Sequence, residues 1–249
     1  MYAGLKNPAF FKQRGIMGKK VLISVPAYDG KIGLGGMMSL VRAWENTKAV
    51  CDSLEVGGLA GCCYIAHARN IISNAFMNGN CDELIFLDAD IAFDPDALRK
   101  IIAINEPVVG GAYPYRNKNK GWPCKIITDA NKIPVGDKVR GIIEAEMIPT
   151  GFMKIQRGVF EKLQELHPDW KMTTDIDAPN GKSFLWDYFQ TGRIAEENND
   201  WYGEDTAFCY FCRKAGFKLW IEPRIDFIHG DVPGNYDEYL RALPLKAGV

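Results

Sequence analysis

Val21-Leu22-Ile23-Ser24-Val25 is a short run dominated by branched apolar residues, and Pro26-Ala27-Tyr28-Asp29-Gly30, with the glycines up to Gly36, breaks it. The pairing predicts a buried first strand followed by a loop. The period then lengthens: Met37, Leu40, Val41 and Trp44 stand at i, i+3, i+4 and i+7, the spacing of a helix that lays one face on a sheet. Ala68, Ile71, Ile72, Ala75 and Phe76 repeat it in a second helix. Glu83-Leu84-Ile85-Phe86-Leu87 reads as another buried strand. Asp94-Pro95 supplies an N-cap followed by proline at the first helical position, and Leu98, Ile101 and Ile102 line a third helix. Residues 107–111 form a further strand. Strand, helix, helix, strand, helix, strand is the order of an α/β protein with an open, mostly parallel sheet covered on both faces.

Beyond Pro123 the texture changes to short β pieces at 124–128, 139–146 and 152–155, which predicts an antiparallel portion. A short helix is expected over 158–166. The polar, aromatic and weakly periodic stretch 169–200 reads as a long surface loop. Asp205 opens a helix that Gly216 stops, 218–221 is a strand, and everything from Val232 reads as a loop-like tail. No repeat or linker divides the chain, so one domain is expected over residues 1–249, with 1–19 an extension and 232–249 a tail.

Charge narrows the partners. Thirty basic and 31 acidic residues leave a formal charge of −1, which gives no field for nucleic acid. Seven cysteines, an odd number on a chain of ordinary apolar content, argue against a disulfide scaffold and for reduced thiols in a cytoplasmic protein. Cys209 and Cys212 form a CxxC, but Phe208, Phe211, Cys212 and Ala215 share its helical spacing, so core cysteines are expected in place of a zinc or redox pair. No segment approaches the ~20 apolar residues that span a bilayer, and the first twenty residues lack the apolar stretch of a signal peptide.

The chemistry concentrates at Asp88-Ala89-Asp90, where a buried strand stops on two carboxylates. Two acids at that spacing can be aimed one way, and their repulsion costs free energy unless a cation, a proton or a cationic substrate offsets it. Hard oxygen ligands of this kind suit Mg²⁺ or Mn²⁺. The plain alternative is a solvated strand end with Asp at a turn. A haloacid dehalogenase-type phosphatase also places two aspartates two apart after a strand. There, however, the strand is the first, and Gly and Thr or Val follow, whereas Ile91-Ala92-Phe93 follow here.

Six segments in order carry a more specific likeness: VPAYD at 25–29, ARN at 68–70, FLDADIAFDPDAL at 86–98, MIPTGFMKIQRGVFEKL at 147–163, YGEDTAFCYFCRKAGFKLWIEP at 202–223 and FIHGD at 227–231. Together they resemble the metal-dependent GT-A glycosyltransferases, particularly family 2-like members, over roughly residues 21–231. The resemblance implies a single open, mostly parallel mixed sheet flanked by helices, with a smaller antiparallel β portion on the acceptor side. It implies a nucleotide-sugar donor (UDP-, GDP- or dTDP-linked), bridged to the protein by Mn²⁺ or Mg²⁺, and a glycan, lipid-linked or protein acceptor. A lipid-linked acceptor would bring peripheral membrane contact.

By the same likeness Asp90 is the principal metal ligand, Asp88 supports it or touches the donor, and His229 completes the set. Asp231 is a weaker alternative to His229, and a lone histidine is more commonly an ordinary surface or core residue. Glu204-Asp205 matches the acidic pair of the acceptor side. Asp205 would be the general base of an inverting transfer, with Glu204 hydrogen-bonding a sugar. Their ordinary reading is a helix start that favours acids. Pro26, Tyr28 and Asp29 match the loop that reads the nucleobase, or else form a Pro/Asp/Gly turn. Arg69 would offset diphosphate or carboxylate charge, or make a surface salt bridge. Gly151, after Thr150, fits a close backbone approach to the donor sugar, or an ordinary turn. Arg116, Lys118, Lys120 and Lys125 form a basic stretch that either embraces phosphates or lies solvated in a loop. Trp186, Tyr188, Trp201 and Tyr202 suit sugar stacking or packing. Two other functions stay open: a sugar-phosphate nucleotidyltransferase, although no N-terminal triphosphate-gripping glycine loop is present, and a non-catalytic nucleotide-sugar or glycan-binding module.

Overall fold

The computed structural model of the chain describes residues 18–174, 183–194 and 200–243. The first half alternates as predicted: β1 (Lys20–Ala27), α1 (Leu34–Lys48), β2 (Ser53–Ala60), α2 (Ile65–Asn78), β3 (Glu83–Leu87), β4 (Ile91–Phe93), α3 (Ala97–Ala103) and β5 (Val108–Gly111). Then follow β6 (Lys125–Ile126), β7 (Gly136–Asp137), β8 (Ile142–Met147), β9 (Phe152–Gln156) and α4 (Arg157–Leu166). The last part contains β10 (Lys171–Thr174), β11 (Ser183–Trp186), β12 (Gly192–Arg193), β13 (Trp201–Tyr202), α5 (Glu204–Lys214), β14 (Leu219–Glu222), β15 (Asp226–His229), β16 (Val232–Asn235) and α6 (Tyr236–Ala242).

The main sheet runs β2-β1-β3-β9-β5-β14-β8-β6, with β7 also paired to β8. Strands β2, β1, β3, β5 and β14 are parallel to one another, while β9 enters antiparallel between β3 and β5. This is the mixed, mostly parallel α/β sheet expected from the alternation. The antiparallel portion largely extends that sheet, because β8 pairs with β14 and carries β6 and β7. Small antiparallel sheets, β10-β11, β12-β13 and β16-β15-β4, lie outside it.

Period-two alternation divides the core into two layers. Ile23, Ile85 and Leu87 face Leu98, Ile101 and Ile102 on one side, while Leu84, Phe86 and Met153 face Phe76, Phe160 and Phe208 on the other. Covering both faces explains why β3 is apolar at every position but its first, where Glu83 is buried in a charge cluster.

Several expectations change. Met37 and Val41 are exposed, and α1 instead buries Gly36, Ser39, Leu40, Ala43 and Thr47. Small residues win because the helix lies close on β4: a Cβ at Gly36 would sit 2.9 Å from the Ile91 carbonyl. Strand β2 was invisible to periodicity, since it is a mostly exposed edge carrying Gly57 and Gly58. Helix α3 starts at Ala97, because Asp94 accepts from the Asp96 amide at 2.8 Å and makes a turn ahead of the helix. The expected tail from Val232 is β16 followed by α6, where Asn235 caps the helix by accepting from the Glu238 amide at 3.1 Å. Pro233 and Gly234 hid that strand.

The segment read as a long loop contains core structure as well. Tyr188 and Phe189 are fully buried, and Asn70 of α2 ties them down by accepting from the Phe189 amide and donating to Asp187. Residues 175–182 and 195–199 of that segment lie outside the described residues. All seven cysteines are free, and Cys209 and Cys212 are buried core residues as expected. Burial pushes the Cys209 thiol up to about 12. Among the described residues no helix is long and apolar enough to cross a membrane.

One buried charge makes folding depend on pH. Lys154, fully buried on β9, donates to the Ile104 carbonyl and to Glu83 at 3.3 Å, while Lys19 reaches the same Glu83 oxygen at 2.6 Å. Burial is the largest influence on Lys154, and it brings the amine down to about 8 despite the Glu83 charge. The unfolded chain, with its lysine near 10.5, therefore binds more protons between those values, so stability rises with pH there. Urea unfolding of wild type minus Lys154→Met is expected to gain about 1–3 kcal/mol between pH 7.5 and 10. A flat difference would contradict it.

Candidate active site

The site forms where β1, β3 and β5 end, the position at which open parallel sheets hold ligands. Asp88-Ala89-Asp90 leaves β3 there. The Asp88 amide donates to the Gly151 carbonyl at 2.9 Å, and the Ile91 amide returns to the Asp88 carbonyl at 3.2 Å. The loop after β1 packs against the same turn, since the Gly33 amide donates to the Ala89 carbonyl at 2.6 Å. Thus the first-strand loop and the aspartate pair do share one region.

The two aspartates point to different partners. Asp88 Oδ1 accepts from Arg69 Nη2 at 3.0 Å, and Arg69 Nε lies 3.5 Å from Glu204 Oε1 at the start of α5. Arg69 is buried on α2 with its guanidinium over Phe86, 5.2 Å from the ring centroid. Its surface salt-bridge reading is thereby excluded. The buried cation serves two carboxylates, while among the described residues Arg69 Nε, Arg69 Nη1 and Thr150 Oγ1 find no hydrogen-bond partner. Burial raises Glu204 above its ordinary value, Arg69 opposes that rise and Asp205 adds to it. Asp205 accepts from the Thr206 amide at 2.7 Å in the first turn, and Gly203, not Asp205, is the cap.

Gly151 closes this half. Its amide donates to the Tyr113 hydroxyl at 3.1 Å, and a Cβ there would lie 2.4 Å from both Asp88 Oδ2 and that hydroxyl. Burial, reinforced by the Asp88 charge, pushes Tyr113 well above the usual phenol range. Gly151→Ala is expected to displace the Asp88 carboxylate and cost about 1–3 kcal/mol by overpacking, read from the urea midpoint. An unchanged midpoint would show that the pocket can open.

Asp90 belongs to a second cluster. His229 Nε2 is 3.0 Å from Asp90 Oδ2, and Arg116 donates to that oxygen through Nε at 2.7 Å and through Nη2. Tertiary pairing makes the contact: β15 runs antiparallel to β4 with His229 opposite Ile91, and the Gly230 amide donates to the Asp90 carbonyl at 3.1 Å. Burial pushes Asp90 upward, but hydrogen bonds from His229 and Arg116 outweigh it and hold the carboxyl at about 2. Burial likewise pulls His229 down, and Asp90 with the Pro114 carbonyl more than restores it.

His229 Nδ1 lies 2.8 Å from the Pro114 carbonyl, which can only accept, so Nδ1 carries the proton. In the neutral ring Nε2 then presents a lone pair toward Asp90 Oδ2. A proton on Nε2 or the Arg116 guanidinium satisfies this pair as it stands, and an oxygen with an imidazole nitrogen also suits Mn²⁺ or Mg²⁺. The donor set thus fits, with two protein ligands. Among the described residues no three His, Cys, Asp or Glu side chains gather to hold a metal. Asp88, expected as a further ligand, turns instead to Arg69.

The remaining expected residues sort as follows. Pro26 is buried in β1, Tyr28 is 67% exposed, and Asp29 accepts from the Lys31 amide at 3.1 Å. Beside them lies an apolar hollow of about 310 Å³, lined in part by Ala27, Ile32, Met37 and Leu59. Asp231 is exposed. Lys125 pairs with Glu146 and leaves the basic stretch. Tyr188 packs against Phe160 in the core, Trp186 anchors on Asn74 and Tyr202 stacks on Tyr210, whereas Trp201 is exposed. Sequence reasoning missed Tyr113, whose only sign was an aromatic after Gly110-Gly111.

No family model and no curated protein matches the chain. Solved structures similar to it include A197 from STIV, with a TM-score of 0.49 and 17% identity over 84% of this chain and 85% of that one. Another is GalNAc-T7 with UDP, GalNAc and Mn²⁺, at 0.49 and 12% over 85% of this chain and 44% of that one. S. aureus TarS 1-349 gives 0.36 and 12% over 57% and 48%.

Proposed function

We propose that the chain is a GT-A-type, metal-dependent glycosyltransferase that moves a sugar from a nucleotide donor to an acceptor hydroxyl with inversion. The observation that carries this reading is the pairing of Asp90 with His229, 3.0 Å apart, beside the buried Arg69–Asp88–Glu204 cluster. Asp90 and His229 would hold Mn²⁺ or Mg²⁺. When bound, the ion stabilises the charge that builds on the departing diphosphate.

The chain's own residues divide the other tasks. Arg69 fixes the Asp88 carboxylate beside Gly151, whose missing Cβ lets that carboxylate and the Tyr113 hydroxyl pack against the backbone, and Asp88 so held contacts the donor sugar. Pro26, Tyr28, Asp29 and the hollow behind them receive the nucleobase, the ring stacking and the carboxylate accepting from an imide N–H. Asp205 takes the proton of the acceptor hydroxyl, and Glu204 hydrogen-bonds a sugar. The acceptor is a glycan, a lipid-linked sugar or a protein, met in the cytoplasm, where the free thiols stay reduced. UDP-, GDP- and dTDP-sugars with Mn²⁺ test the proposal: at least one is expected to bind and to hydrolyse slowly without acceptor. Binding of none would reject it, and a product anomer equal to the donor's would reject inversion.

A further inference from the structure

Both aspartates of the pair already have an arginine, and the two arginines differ in kind. The Arg69 side chain is 3% exposed and is shared by two carboxylates, whereas that of Arg116 is 68% exposed and reaches Asp90 from a loop. The Arg116 guanidinium bridges the acceptors that suit a metal ion: Nε lies 2.7 Å from Asp90 Oδ2 and 3.3 Å from His229 Nε2. Its loop is closed at the base by the Tyr115 amide donating to the Gly121 carbonyl at 3.0 Å. Gly230 lines the Arg116 stem, where a Cβ would come to 3.8 Å from Cγ. The side chain can therefore leave without disturbing packing, and an exposed ion pair is weak enough to be exchanged.

We propose that Arg116 is an exchangeable internal cation: it neutralises Asp90 and hydrogen-bonds His229 while the donor is absent, yields both to the divalent ion, and then pairs with the donor's diphosphate. The inference deepens the glycosyltransferase reading and rests on it. Its consequence is thermodynamic. Metal alone must displace an arginine that has no other anion to meet, whereas metal with a diphosphate supplies one, so the two ligands favour each other's binding. Arginine suits the second task, since its planar fork grips phosphate through two parallel hydrogen bonds.

The test uses the full chain and two probes, Mn²⁺ alone and then inorganic pyrophosphate at saturating Mn²⁺, with thermal melts confirming the fold of each variant. By electron paramagnetic resonance of free Mn²⁺, Arg116→Gln is expected to bind the ion about fivefold more tightly than wild type, the equivalent of one displaced weak ion pair. Adding Asp90→Asn to Arg116→Gln should abolish that gain. With Mn²⁺ present, pyrophosphate is expected to bind Arg116→Gln about tenfold more weakly than wild type. If Asp90→Asn alone loses Mn²⁺ but Arg116→Gln binds it no better than wild type, the exchange is wrong and the metal site stands. If neither wild type nor Arg116→Gln binds Mn²⁺, both fail. Pyrophosphate affinity unchanged by Arg116→Gln would overturn the second half of the exchange.

Discussion

Asp90→Asn is expected to lower metal-dependent turnover of the matching nucleotide sugar by about three orders of magnitude, the cost of removing a group that stabilises developing charge. The substitution preserves size and removes one negative charge from the proposed two-ligand site. Asparagine is a poorer ligand for a hard divalent ion, and His229 alone does not hold one tightly. Stability should change little, because the partner Arg116 is largely exposed and its ion pair is screened by solvent. Initial rates of donor hydrolysis across a Mn²⁺ titration, together with a thermal melt, separate the two effects. Wild-type rates in a folded Asp90→Asn protein would remove Asp90 from the mechanism.

Arg69→Met has the opposite profile. Arg69 is buried, so its loss leaves Asp88 and Glu204 facing one another's charge without a cation. Breaking a buried pair by removing one partner costs about 3–5 kcal/mol. Burial already raises Glu204, and Arg69 is the group that opposes the rise, so the variant should also protonate Glu204 more readily. Urea unfolding at pH 7 measures the loss. Arg69→Lys is expected to recover only part of it, because one ammonium cannot match a planar fork placed between two acids. A destabilisation below about 1 kcal/mol would mean that solvent reaches the cluster and screens it.

Much of the fold was legible because burial imposes a period. Strands β1, β3 and β5 are buried on both faces and read as continuous apolar runs, and α2 repeats at helical spacing. Elements that escape burial escaped the reading too: β2 lies at the sheet edge, and β16 carries Pro233 and Gly234. The α1 face was misread for a different reason. Close approach to β4 selects small residues, and hydrophobic spacing does not register Gly36 or Ser39 as core.

The chain by itself determined that Asp88 and Asp90 stand at the end of a buried strand, that Glu204 and Asp205 open a helix, and that Cys209 and Cys212 belong to the core. Those properties follow from local periodicity and from the cost of burying charge. Only the tertiary structure decided which partner each acid meets. His229 reaches Asp90 because β15 lies antiparallel on β4, although the two residues stand far apart in sequence. Arg69 reaches Asp88 and Glu204 because α2 and α5 both cover the same face of the sheet. Such contacts leave no period in the sequence: each is one residue meeting another across the fold, and strand register, not composition, sets the distance.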